Sequence, residues 1–245
     1  MSDKVKWKNV SLVTKDSTTI RGWLFRSQEY KQSMLYFYGN GETLYSSQFK
    51  LYWLSINLKC NILAFDYRGY GFSDGAPSFI TISNDALEEY DYLKDSLNIS
   101  DMPIFVFGYS IGTTFAIKVA ANRKVDGLIL MAPMTSAAET IPEWKRFLPW
   151  YIRWCINLQP DDALLTLHPQ PDEMIQNIDC PLLVIHGDED KRIPIKLGKR
   201  IFEKAGSKHK HWCEVTGHGH NDLNINVSPI SDSLLTFMNF YGIIQ

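Results

Sequence analysis

Five short apolar runs, at residues 34–38, 62–66, 104–107, 128–131 and 182–186, are interleaved with helical stretches at 44–56, 85–97, 111–122, 195–204 and 229–241. Runs this short, with no polar residue at every second place, suit strands covered on both faces. Their alternation with helices restricts the chain to an α/β layer architecture. The expectation is a mostly parallel central sheet, helices on both faces, and binding groups at the C-terminal ends of the strands. Residues 5–14 and 19–25 follow a different rule, alternating apolar with polar around Lys15-Asp16-Ser17-Thr18, as expected of a β-hairpin at the sheet edge.

One interval breaks the alternation. Between about 134 and 178 no strand pattern occurs, and Pro142 to Trp154 crowd aromatic and cationic residues together. Pro142 suits the opening of a helix, while Pro149 ends or kinks it. The interval is expected to form a small helical cap inserted into a single domain spanning 1–245, a size that one α/β core accommodates. Trp144, Trp150 and Trp154, with Phe147 and Tyr151, are candidates for substrate binding, although aromatics at helical spacing more often form a cap's own core. Lys145, Arg146 and Arg153 suit an anionic head group or a peripheral membrane contact, and equally a solvated helix face.

A formal net charge of -2 without a basic stripe argues against a nucleic-acid partner. Cys60, Cys155, Cys180 and Cys213 lack CxxC spacing, which argues against a zinc site and for a reducing compartment. Residues 1–10 have no apolar signal-peptide core, and no later run reaches the ~18 apolar residues of a membrane span. A cytoplasmic location is the expectation.

Between the run at 104–107 and the helix that follows it stands Gly108-Tyr109-Ser110-Ile111-Gly112. A strand–GxSxG–helix sequence places a serine at the tip of a sharp turn, its hydroxyl open to substrate. Three fixed positions are weak evidence alone, so the reading requires an acid and a histidine later in the chain, in that order. After the run at 182–186 come Asp188, Glu189 and Asp190, among which spacing does not choose. After 211–215 the loop Thr216-Gly217-His218-Gly219-His220 offers two histidines. His220 is taken as the base, with His218 as its competitor; His209 and His211 read as surface residues, and His186 as part of a structural turn. For the oxyanion, the N–H of Ile111 is one expected donor, and the N–H of Asn40, in the loop Gly39-Asn40-Gly41, the other. That loop lacks GxGxxG or a GK[ST] ending, which argues against nucleotide binding.

Together with Asp66-Tyr67-Arg68-Gly69-Tyr70-Gly71-Phe72-Ser73-Asp74-Gly75, these motifs resemble the α/β-hydrolase superfamily, and within it the compact lysophospholipase-like and protein-depalmitoylase-like serine hydrolases. The resemblance implies an α/β-hydrolase fold, Ser110 as nucleophile, Asp190 as acid, His220 as base, and no metal or organic cofactor. Asp66 and Arg68 match a stretch expected to supply an ion pair and turn scaffold. One position departs from the pattern: Tyr38 stands where the family usually has histidine before the oxyanion loop. The expected activity is hydrolysis of a carboxylic ester or thioester of a small-molecule or acyl-chain substrate, with a depalmitoylase or peptidase as variants. A non-catalytic binding or interaction module on the same fold is the alternative of another class.

Overall fold

The computed structural model describes residues 5–96, 102–136, 139–140 and 170–242. Their strands are β1 (Val5–Val13), β2 (Thr19–Ser27), β3 (Gln32–Phe37), β4 (Cys60–Phe65), β5 (Ile104–Tyr109), β6 (Gly127–Met131), β7 (Leu182–Gly187) and β8 (Lys210–Val215). They form one sheet in the order β1-β2-β4-β3-β5-β6-β7-β8. The β1–β2 hairpin is antiparallel and joins β4 antiparallel, and every pair from β4 to β8 is parallel.

Burial explains the sequence pattern. Every residue of β3, β4, β5, β6 and β7 is buried, because helices cover both faces of the central sheet. β1, at the edge, is largely exposed.

Among the described residues the helices are α1 (Leu44–Asn57), α2 (Phe79–Ser96), α3 (Gly112–Asn122), the short α4 (Pro171–Met174), α5 (Ile195–Lys204) and α6 (Ile230–Tyr241). α2 starts at residue 79 rather than at the expected 85. The β-branched stretch Ile80-Thr81-Ile82 masks it, since such residues have weak helix propensity. Capping and packing outweigh propensity here: Ser78 Oγ accepts the Thr81 N–H at 3.1 Å, Ile82 is buried, and the Phe79 ring lies 6.0 Å from that of Phe115.

Of the interval expected to form the cap, only its ends are described, including α4 and the 3₁₀ turn Ile175–Asn177. Trp144, Trp150 and Trp154 lie outside the described residues. Among the described residues no helix is long and apolar enough to cross a membrane.

Asp66 and Arg68 are both buried scaffold residues, but they serve separate networks rather than pairing with each other. Asp66 accepts from the Tyr38 hydroxyl at 3.0 Å and the Leu44 N–H at 2.8 Å, fixing the start of α1 to the end of β4. Arg68 forms a two-pronged pair with Asp85 of α2 and reaches Asp16 of the hairpin turn at 2.7 Å. Register then sets the site: Tyr109 lies beside Met131, and Gly187 beside Val215. The loops after β5, β7 and β8 therefore open along one edge of the sheet.

Candidate active site

Ser110 occupies the turn between β5 and α3 with φ +54°, the left-handed region. A non-glycine residue there costs roughly 1–2 kcal/mol and persists where surrounding contacts hold it. Here the Ser110 N–H donates to the Met131 carbonyl at 2.9 Å, and its carbonyl accepts the Thr113 N–H at 3.0 Å and the Thr113 hydroxyl at 2.6 Å. The flanking glycines permit close packing. A Cβ on Gly108 would lie 2.6 Å from the Gly112 carbonyl oxygen, and one on Gly112 only 2.4 Å from that of Phe37. The elbow is thereby seated against the end of β3, next to the loop holding Asn40.

The later loops bring two side chains to this serine. Ser110 Oγ lies 2.8 Å from His220 Nε2, and His220 Nδ1 lies 2.7 Å from Asp190 Oδ2. This network assigns the ring proton to Nδ1, leaving Nε2 to accept from the serine hydroxyl. The second Asp190 oxygen accepts the backbone N–H groups of Arg192 at 2.9 Å and Ile193 at 2.8 Å. Burial alone would raise the Asp190 carboxyl. Hydrogen bonds from His186 and His220, the positive charge His220 carries when protonated, and the Ile193 N–H outweigh it, holding the group well below the usual carboxylate range.

The competing residues point elsewhere. Asp188 accepts the Gly217 N–H at 2.7 Å, bracing the β7 loop against the β8 loop, and Glu189 is exposed. His218 Nδ1 lies 2.9 Å from the Thr216 carbonyl oxygen of its own turn. His211 meets the Tyr241 hydroxyl at 2.9 Å, away from the serine. His186 is fully buried under the acid loop, its Nε2–H donating to the Ile193 carbonyl at 2.9 Å.

The loop carrying Asn40, expected from the sequence to hold the oxyanion, is a tight turn closed on itself. The Gly39 N–H donates to Glu42 Oε2 at 2.9 Å, the Glu42 N–H returns to the Gly39 carbonyl at 3.2 Å, and Lys50 Nζ donates to the other Glu42 oxygen at 2.9 Å. Asn40 Oδ1 accepts from the Tyr70 hydroxyl at 3.0 Å. Among the described residues, neither the Asn40 nor the Ile111 backbone N–H is given to a backbone carbonyl. Gly39, Asn40, Ser110, Arg192, His220 and Asn221 line one cavity of about 440 Å³. Among the described residues no cluster of three or more His, Cys, Asp or Glu side chains is grouped to hold a metal ion.

The family model for serine aminopeptidase of the S33 type matches residues 56–172. A Mycobacterium tuberculosis protein of uncharacterized function is 31% identical over 217 residues, covering 88% of this chain and 73% of the relative. The α/β hydrolase domain-containing protein aho-3 of Caenorhabditis elegans is 29% identical over 197 residues, covering 80% of this chain and 54% of that protein. The chain belongs to the α/β-hydrolase family. Another relative of this α/β-hydrolase is the zebrafish lysophosphatidylserine lipase ABHD12, 28% identical over 215 residues, covering 82% of this chain and 52% of that protein. The chain thus spans about half the length of the worm and zebrafish proteins. A Pyrococcus furiosus esterase, Pf2001, shares the fold with a TM-score of 0.81 at 18% identity, over 97% of this chain and 92% of that one.

One contributor at the site of this α/β-hydrolase was not singled out from the sequence. Tyr109, the variable residue before the serine, donates its hydroxyl to the His220 carbonyl at 2.7 Å, and its ring stacks on the imidazole at 5.6 Å. Lys50 Nζ sits over the Tyr109 ring, 4.8 Å from its centroid. The available signal was Tyr109's place inside the elbow, although its partner is 111 residues away.

Proposed function

We propose that this chain is a serine ester hydrolase working through an acyl-enzyme on Ser110. The reading rests above all on the continuous run of short contacts from Ser110 Oγ through His220 to Asp190, opening into a cavity. His220 Nε2 takes the hydroxyl proton as the serine oxygen attacks the carbonyl carbon, then delivers it to the leaving oxygen. Asp190 holds the imidazole in the required tautomer and stabilises the imidazolium. The Asn40 and Ile111 N–H groups receive the oxyanion, where a single donor is worth about 2.7–4 kcal/mol in a well-studied protease. Water then repeats the sequence to release the acid.

Esters are favoured because relatives include a lipase and the fold is shared with esterases. The family model's description names an aminopeptidase, which keeps amide cleavage as the second reading. Thioester cleavage, including removal of a protein-bound acyl group, uses the same steps with sulfur as the leaving atom. The expected cap over about 134–178, with Trp144, Trp150 and Trp154 as candidate substrate-binding residues, lies mostly outside the described residues.

A fluorophosphonate probe tests the reading. Labelling of the wild type that disappears in Ser110→Ala is the expected result. An unlabelled, folded wild type, or equal labelling of Ser110→Ala, would favour a non-catalytic binding module.

A further inference from the structure

We propose that the small apolar cavity behind the oxyanion loop is the acyl pocket, and that it restricts this hydrolase to short acyl chains. The inference rests on the acyl-enzyme reading above. The cavity measures about 120 Å³ and is lined by Asn40, Tyr67, Tyr70, Phe79, Ile111 and Phe115, among others. Asn40 lines the larger cavity with Ser110 as well, and Ile111 directly follows the serine. The two cavities therefore share Asn40, one of the two groups proposed to receive the oxyanion, and the small one also reaches the other, Ile111.

That junction orders the substrate. An ester whose carbonyl oxygen lies between those N–H groups must send its acyl and alcohol parts in different directions. The alcohol oxygen has to receive the proton carried by His220, so it lies on the His220 side. That side is the larger cavity, bordered by the charged residues Glu42 and Arg192, which suits a polar alcohol. The acyl chain is left with the apolar pocket.

Its capacity follows from volume and rigidity. A buried apolar cavity of about 150 Å³ takes up benzene, so this smaller one seats about four carbons. Its wall is made of packed rings, with Tyr67 5.2 Å and Phe79 6.0 Å from Phe115. The Tyr70 hydroxyl ties that wall to Asn40 at 3.0 Å. A longer chain would press through this contact on the oxyanion loop itself.

The test measures kcat/KM for p-nitrophenyl esters from acetate to palmitate with wild type, Phe79→Ala and Phe79→Trp, alongside fluorophosphonate labelling. In the wild type each seated methylene raises kcat/KM about fourfold up to butanoate, and chains beyond hexanoate lose at least about tenfold. Phe79→Ala moves the optimum to longer chains, and Phe79→Trp moves it to acetate. A labelled wild type with its optimum at octanoate or longer, or three identical profiles, overturns the pocket while leaving the acyl-enzyme intact. A wild type that neither labels nor turns over any ester overturns both. If Phe79→Trp misfolds, the wild-type and Phe79→Ala profiles still decide.

Discussion

The Tyr38 hydroxyl donates to Asp66 at 3.0 Å and accepts the Tyr67 backbone N–H at 3.0 Å. The exchange is reciprocal, because the Tyr67 hydroxyl donates to the Tyr38 carbonyl at 2.7 Å. Burial and the neighbouring Asp66 push the Tyr38 phenol far up, so it stays protonated and keeps donating. This phenol stands at the position where the resemblance leads one to expect histidine, and it braces Asp66 and Tyr67 beside the loop proposed to hold the oxyanion. Tyr38→Phe strands the buried Tyr67 N–H and takes one donor from Asp66. The expected cost is about 1–3 kcal/mol in urea unfolding, with a fall in kcat larger than any change in KM. An unchanged kcat would separate Tyr38 from the loop's catalytic geometry.

Gly198 sets the position of the acid loop from below. A Cβ there would lie 2.1 Å from His186 Nδ1, and His186 in turn holds Ile193 and lies 3.5 Å from Asp190. Gly198→Ala is expected to displace the imidazole, costing about 1–3 kcal/mol of stability as overpacking does. It should also lower kcat while His220 and Ser110 remain in place. Full activity in the purified variant would show that the acid loop tolerates movement of His186.

Ser110 carries strain that its proposed chemistry requires. Because φ is +54°, removing Cβ relieves a clash that Ser110→Ala retains. Ser110→Gly is expected to exceed Ser110→Ala in unfolding free energy by about 1 kcal/mol, both being inactive. Thermal melts of the pair check this, and a less stable glycine variant would contradict the strained elbow.

Glu89 on α2 is buried, and neither carboxylate oxygen has a hydrogen-bond partner among the described residues. Burial, reinforced by the nearby Asp85 charge, raises its pKa well above the ordinary 4.5. The folded state therefore keeps the proton while the unfolded chain releases it. The associated stability is complete below about pH 4 and is lost as pH rises, by up to about 1.4 kcal/mol per unit. Glu89→Met should flatten the decline between pH 5 and 9 and unfold at higher urea than wild type at pH 8. Parallel stability profiles for the two proteins would show that Glu89 is ionised in the folded state.

The sheet was legible because β3 to β7 are buried on both faces, which leaves apolar runs with no polar interruption. The elbow, the two later loops and their order were legible because they are local in sequence. Choosing Asp190 over Asp188 required the resemblance, since all three acids share one turn and the structure separates them only through bonds to other loops. The partners of Arg68 were not legible, since they lie 17 and 52 residues away. The start of α2 was hidden because a cap and a ring contact overrode β-branched propensity. Trp144, Phe147, Trp150, Tyr151 and Trp154 together have helical spacing, a pattern shared by a binding face and an ordinary core.

The acyl-enzyme itself is the most direct test of the account. Rapid mixing with p-nitrophenyl acetate, acid quench and mass spectrometry of the peptides should find one acetyl group on Ser110, preceded by a nitrophenol burst of about one per active site. In His220→Ala, burst and adduct should fall together. Turnover of the ester with no adduct at Ser110, or an adduct on another residue, would contradict the central claim.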